Sequence, residues 1–207
     1  MFFSLFFSVV SAAIYGIDYS TLTSVASHQC FINNGFTFAI PRCWCSVGEV
    51  DGDCVPSVEN AHAAGMSRVD TYFFPCYSCG NIAGQINSFW DHTIANQMNF
   101  ERLWFDIEGE WSSSYGTNQA FLMEMVEHAR AIGIVYGIYC SEYYWGLFFG
   151  SYTFAYASEA PMWYAHYDYD ASFSDWTPFG GWSWPMIKQY QGTTSMCDAS
   201  VDLNYQE

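Results

Sequence analysis

Arg102-Leu103-Trp104-Phe105-Asp106-Ile107-Glu108-Gly109 is an apolar, aromatic run that ends on two acids one residue apart. It reads as a buried strand that delivers two carboxyls to one place. Successive side chains on a strand face opposite ways, so Asp106 and Glu108 share a face while Phe105 and Ile107 point to the other. Two acids on one side suit glycoside hydrolysis. One carboxyl protonates the leaving oxygen while a second negative centre stabilises the charge that grows on the sugar ring. The pair alone is a common pattern in a chain with 21 acids among 207 residues. Its setting sharpens it: a strand without other charges, a glycine behind it, and matching acids near both ends of the chain.

Moving outward, strand and helix signals alternate. Ile14 to Asp18 reads as a first strand, followed by a helical pattern up to Asn34 with Gly35 as its stop. Phe36 to Pro41 is a second strand, Arg42 to Cys54 a cysteine-rich loop, and Pro56 to Ala64 a short helix ending at Gly65. Ser67 to Pro75 is a third strand with Asp70 and Tyr72 on one face. Ile82 to Met98 is helical, and Leu103 to Glu108 is the central strand. Phe121, Leu122, Met125, Val126, Ala129 and Ile132 recur at helical spacing before Gly133, and Ile134 to Cys140 follows as a fifth strand.

Beyond Ser141 the pattern changes. Pro161 to Tyr167, Met186 to Tyr190 and Val201 to Asn204 look like strands, but no amphipathic helix fits between Asp168 and Pro185. Strands apolar on both faces, separated by helices, indicate a parallel sheet covered by helices. The fold class expected is therefore α/β, a modified TIM-like barrel of eight strands with fewer than eight helices. A full barrel usually takes about 250 residues. An open doubly wound sheet is the alternative, but no glycine-rich nucleotide loop follows the first strand.

Residues Phe2 to Val10 are apolar apart from two serines, and Ser11-Ala12-Ala13 offers small residues where a signal peptidase reads. Residues 1–13 are read as a secretory signal and 14–207 as a single domain; an N-terminal core segment is the other reading of the apolar run. It is too short to span a membrane. Eight cysteines behind such a signal favour four disulfides, and the connectivity stays open. Cys43-x-Cys45 and Cys76-x-x-Cys79 could instead hold zinc, but the spacing of a partner pair is missing. Five basic residues against 21 acids, a formal charge of −16, argue against a nucleic-acid partner, because phosphate binding needs clustered Lys and Arg. Aromatic residues make up 21% of the chain, and flat rings stack on sugars, although core packing accounts for most of them.

In an α/β barrel the chemistry sits at the carboxyl ends of the strands. The acids assigned to such ends are Asp18, Asp106, Glu108 and Asp202. First and last strands are neighbours when a barrel closes, so Asp18 and Asp202 should meet.

Tyr15-Gly16-Ile17-Asp18-Tyr19-Ser20, Phe105-Asp106-Ile107-Glu108, Met162-Trp163-Tyr164-Ala165-His166-Tyr167, Lys188-Gln189-Tyr190 and Val201-Asp202-Leu203-Asn204 together resemble the glycoside hydrolase family 25 lysozymes, the Chalaropsis-type muramidases. The resemblance runs over nearly all of residues 14 to 205. It implies a β-1,4-N-acetylmuramidase acting on peptidoglycan, with no cofactor, no metal and a monomeric state. It implies that Glu108 is the general acid and then the base, and that Asp106 assists the substrate acetamido group or stabilises the charged intermediate. Asp18 and Asp202 would flank them and keep Glu108 partly protonated by like-charge repulsion. Tyr72, Tyr139, Trp163 and Tyr167 match positions that line the family's groove, Gln189 and Tyr190 border the pocket, and His166 is a bonded wall residue. The cysteines depart from the nearly cysteine-free bacterial members and resemble secreted eukaryotic ones, which implies an extracellular, lysosomal or phagosomal setting. Two other readings compete: a sugar-binding protein on the same barrel, and a chitin-type glycosidase.

Overall fold

The computed structural model describes residues 13–207, so the proposed signal cleavage at residues 1–13 lies almost wholly outside the described part. Among the described residues, eight strands form a closed barrel and two short strands are added to it. Going round it, β1 (Ile14–Tyr19), β2 (Phe36–Cys45), β5 (Thr71–Phe73), β6 (Leu103–Asp106), β7 (Tyr136–Cys140), β8 (Met162–Ala165), β9 (Ile187–Met196) and β10 (Ala199–Gln206) pair in turn, and β10 closes on β1. The two-residue strands β3 (Glu49–Val50) and β4 (Arg68–Val69) pair with β2. Among the described residues five helices cover the outside: α1 (Val25–Asn33), α2 (Cys54–Ala64), α3 (Ile82–Ala95), α4 (Tyr115–Ala131) and α5 (Glu142–Phe149). The eight-stranded α/β barrel with fewer than eight helices is thus present.

Local chemistry sets the helix ends. Ser24, Ser114 and Ser141 each accept a backbone N–H of the first turn on their hydroxyl, which satisfies one of the donors a helix start leaves free. Gly65 ends α2 with φ +93°, a conformation that side chains disfavour. Two apolar layers result. Phe38, Ile40, Trp104, Tyr139, Trp163 and Ile187 fill the barrel interior, while Phe31, Phe73, Phe89, Phe105, Leu122, Met125 and Trp145 pack between strands and helices. At Gly16 an added Cβ would fall 2.1 Å from the Phe38 ring, so the interior ring requires glycine there.

Several expectations need correction. The cysteine-rich loop is partly strand: β2 runs on to Cys45 and turns back into β3. The third strand is broken into β4 and β5 around Asp70. Helix α5 was missed because its sequence, Glu142-Tyr143-Tyr144-Trp145-Gly146-Leu147-Phe148-Phe149, has too few polar residues to show a helical stripe. Strand β10 runs antiparallel to both neighbours, so Asp202 does not stand at a carboxyl end. It sits within a strand that descends into the barrel, yet it still pairs with Asp18 in register.

Three disulfides form, Cys30–Cys197, Cys43–Cys54 and Cys76–Cys79, and not four. Cys45 and Cys140 are free. They lie on β2 and β7, three strands apart round the barrel, and a spacing of about 4.8 Å per strand puts them beyond the reach of one bridge. Cys140 is fully buried and donates to the Ile107 carbonyl at 3.2 Å.

Candidate active site

The closing strands bring the expected residues to one end of the barrel. Asp18, Tyr72, Asp106, Glu108, Tyr139, Trp163, Tyr167, Gln189 and Asp202 line a single cavity of about 80 Å³. It is small beside an open surface hollow of about 670 Å³ that includes Arg102, Glu127, Arg130 and Glu159. Its content sets it apart. Four carboxyl groups converge without a cation among the lining residues.

Donors are distributed unequally over those carboxyls. Asp18 receives Gln189 Nε2 at 3.1 Å on Oδ1 and 2.9 Å on Oδ2, and Asn204 Nδ2 at 2.7 Å on Oδ2. Asp202 accepts from Gln189 Nε2 at 3.2 Å and from the Thr193 backbone N–H. Asp106 is buried and its Oδ1 has no hydrogen-bond partner among the described residues. Glu108, just past the end of β6, is half-buried, and its carbonyl accepts the Trp111 indole N–H at 3.1 Å.

Two carboxamides organise this pattern, and their orientation is forced. An indole N–H can only donate, so Trp163 Nε1 at 2.8 Å fixes Asn204 Oδ1 towards itself and turns Asn204 Nδ2 to Asp18. The hydroxyls of Tyr139 and Tyr167 donate to Gln189 Oε1 at 2.6 and 2.8 Å, leaving Gln189 Nε2 for the two aspartates. Asn204 was overlooked as a site residue although the Val-Asp-Leu-Asn motif contained it. Its alternation with Asp202 was the available signal, since residues two apart on a strand share a face.

Proton affinities follow burial and like charge. Burial, then the charge of Asp202, pushes Asp18 up to about 8 against the pull of its amide donors. Burial followed by Glu108 and Asp18 raises Asp106 well above the carboxylate range. Glu108 is raised by burial and then by Asp202. A cluster of this kind retains protons near neutrality, as a general acid requires.

The aromatic residues divide. Trp163 and Tyr139 are 2% and 6% exposed, with rings in edge contact at 4.5 Å, so their faces are closed to a sugar. Tyr167 is 53% exposed and presents a ring at the rim. Tyr190 is half-buried and packs against the outer core, not among the cavity-lining residues. His166 bonds Asp175 through Nδ1 at 2.6 Å on the outer side of β8. His166, Asp168 and Asp175 place potential metal-ligand atoms within 4.8 Å of one another. The ammonium of buried Lys188 already holds both aspartates at 2.7 Å, so a metal ion there would meet a resident cation.

Comparison with known proteins agrees with this architecture. The family model described as lysozyme-like protein 1 matches residues 10–190. Probable GH family 25 lysozyme 5 of Dictyostelium discoideum is 38% identical over 99% of this chain and 95% of its own length. Lysozyme-like protein 5 of Caenorhabditis elegans is 42% identical over 97% and 95%. A family GH25 lysozyme structure from Aspergillus fumigatus superimposes with a TM-score of 0.76 at 16% identity, over 95% of this chain and 94% of the other, and shares the fold. With a family model covering most of its length and relatives matched nearly end to end, the chain belongs to the lysozyme-like proteins of glycoside hydrolase family 25.

Proposed function

We propose that the protein is a lysozyme, a glycoside hydrolase that cuts the β-1,4 bonds between N-acetylmuramic acid and N-acetylglucosamine in peptidoglycan. Membership of the family supports the activity. The observation that carries the residue assignment is the convergence of four carboxyls, with raised proton affinities, in one cavity without a cation. Glu108, the half-buried member, delivers its proton to the glycosidic oxygen and afterwards takes one from water. Asp106, beside it and short of donors, faces the acetamido group or the charged ring. Asp18 and Asp202, held by Gln189 and Asn204, supply the negative field that keeps the Glu108 proton in place and steadies positive charge on the sugar. Tyr167 stacks on the glycan, and Tyr72 walls the cavity.

The chain acts as a secreted or lysosomal and phagosomal monomer after signal removal. Three disulfides and the absence, among the described residues, of a helix long and apolar enough to cross a membrane are compatible with that route. The deciding experiment digests purified peptidoglycan and identifies the sugar at each new reducing end. N-acetylmuramic acid there, with no release from chitin, is the expected result. Reducing N-acetylglucosamine, or cleavage of chitin instead, would replace this reading, and binding without release would make the protein a sugar-binding module.

A further inference from the structure

A second hollow of about 250 Å³ shares no lining residue with the acid cavity and has no part in the chemistry above. Side chains alternate across strand ends. Trp163 and Tyr167 face inward to the carboxyls, while Tyr164 and His166 face outward to this hollow. The hollow therefore lies beside the acid cavity, on the outer flank of the same strand ends. Helix α5 joins the two places: the Tyr144 ring lies 5.3 Å from that of Tyr143, Tyr144 is close enough to Glu108 to feel its charge, and Tyr143 and Glu142 line the hollow.

The walls of the hollow are fixed. Asp175 is held by Lys188 at 2.7 Å, by His166 at 2.6 Å and by the Tyr164 hydroxyl at 2.9 Å, and Lys188 is fully buried. Trp176 is tied to the Ser183 carbonyl at 3.1 Å. Against this frame Glu142 is exposed, with no hydrogen bond or ion pair found for its carboxylate among the described residues, and Tyr143 is 70% exposed. A free carboxylate beside the rings of Tyr143, Trp176 and Phe179 suits a primary ammonium on a short aliphatic chain: the acid pairs with the charge and the rings cover the methylenes.

Resting on the muramidase reading, we infer that this hollow receives the peptide stem of the muramic acid seated over Glu108, with Glu142 holding the side-chain ammonium of the stem's diamino acid. The placement favours a branch over the glycan backbone, because the hollow lies on the outer flank of the strand ends. Two residues separate the sugar from the diamino acid, a reach of about 7 Å or more, of the same order as the roughly 10 Å between layers packed face to face.

The test titrates a soluble stem tripeptide, alanyl-γ-glutamyl-lysine, into the full chain, and compares Glu142→Gln protein and the Nε-acetylated peptide. Each change should weaken binding about fivefold, as for a partly exposed charge pair, and the two together no further. No saturable binding to wild type, or equal affinity across the set, overturns the inference. In turnover, Glu142→Gln should raise KM on stem-bearing strands and leave strands stripped by an amidase unchanged; an equal rise on both would make the hollow a sugar subsite and overturn it as well. Wild-type protein that binds the tripeptide with the predicted Glu142 dependence but cuts neither strand would support the subsite while refuting the muramidase reading.

Discussion

The two ends of the barrel interior both bury aspartate, and they treat it in opposite ways. At the lower end Asp70, 1% exposed, accepts the Trp104 indole N–H at 2.9 Å and has the Arg68 guanidinium at 3.5 Å, with Arg102 adding positive field. Arg68 in turn lies 4.2 Å over the Phe38 ring. At the upper end Asp18 and Asp106 are 5% exposed and meet other carboxyls and two amides. Arg42, whose charge eases ionisation of Asp106, gives its Nε to Asp51 at 2.6 Å. Burial raises the proton affinity at both ends. A matched cation makes the lower carboxylate a structural plug, whereas like charge makes the upper group a proton store.

That contrast breaks most sharply under substitution. Glu108→Gln should lower kcat by about 10²–10⁴ while leaving the folded protein intact; retention of more than half of wild-type turnover would remove Glu108 from its role. Asp70→Asn should do the reverse, costing about 3 kcal/mol in denaturant unfolding because Arg68 loses its partner, with turnover per folded molecule unchanged. A fall in turnover without loss of stability would merge the two ends into one functional unit.

A smaller effect tests the amide arrangement. Trp163→Phe removes the N–H that orients Asn204, and loss of one buried hydrogen bond is worth about 1 kcal/mol. Activity should fall about tenfold, chiefly in kcat and with an altered pH profile. Adding Asn204→Ala should bring little further change; additive losses would show that Trp163 acts by packing.

The pH dependence of stability separates the upper end from the outer flank. Asp18 is raised to about 8 in the folded state, so the native chain holds a proton that the unfolded chain has lost between the ordinary carboxylate value and 8. Its contribution is full below about pH 4 and disappears as pH rises through 8. Burial opposes ionisation of Asp175 too, but bonds from Lys188, His166 and Tyr164 prevail and lower it to about 2, so its contribution is present above the ordinary carboxylate value and lost as pH falls through 2. Melting temperature should drop from pH 5 to pH 8, and Asp18→Asn should flatten that drop; a rise over the interval would contradict the burial argument. Activity should also favour acid, since the protonated form of Glu108 fills as pH falls and a chain of formal charge −16 is repelled less by anionic walls. Added salt should help near pH 7 more than near pH 5.

Much of this was legible because the strands carry their function in register. Apolar runs ending on Asp18 and on Asp106 fixed the parallel part of the barrel, and closure placed Asp202 beside Asp18. The direction of β10 was not legible: a short strand with one buried face reads alike in either direction, and the turn through Cys197 and Asp198 at positive φ had no glycine to betray it. Helix α5 escaped because it lacks polar residues, and Asn204 because its alternation with Asp202 shows a shared face but not the Trp163 indole that reaches it from β8, two strands away. The number of bridges was overcounted since an even cysteine count says nothing about distance. Alkylation of the unfolded, unreduced chain should add two labels, at Cys45 and Cys140; none would restore a fourth bridge.

The bridge from Cys30 on α1 to Cys197 at the tip of the β9–β10 hairpin spans 167 positions. A single cut by a protease anywhere between them leaves two pieces that are still covalently one molecule. One piece would carry Asp18 and the other Asp202, tied together through the bridge and still paired across β1 and β10. A nick in the helix-free segment between β8 and β9 would therefore open the chain without releasing the strand that seals the barrel, an advantage in any compartment where bacterial walls and proteases are processed together.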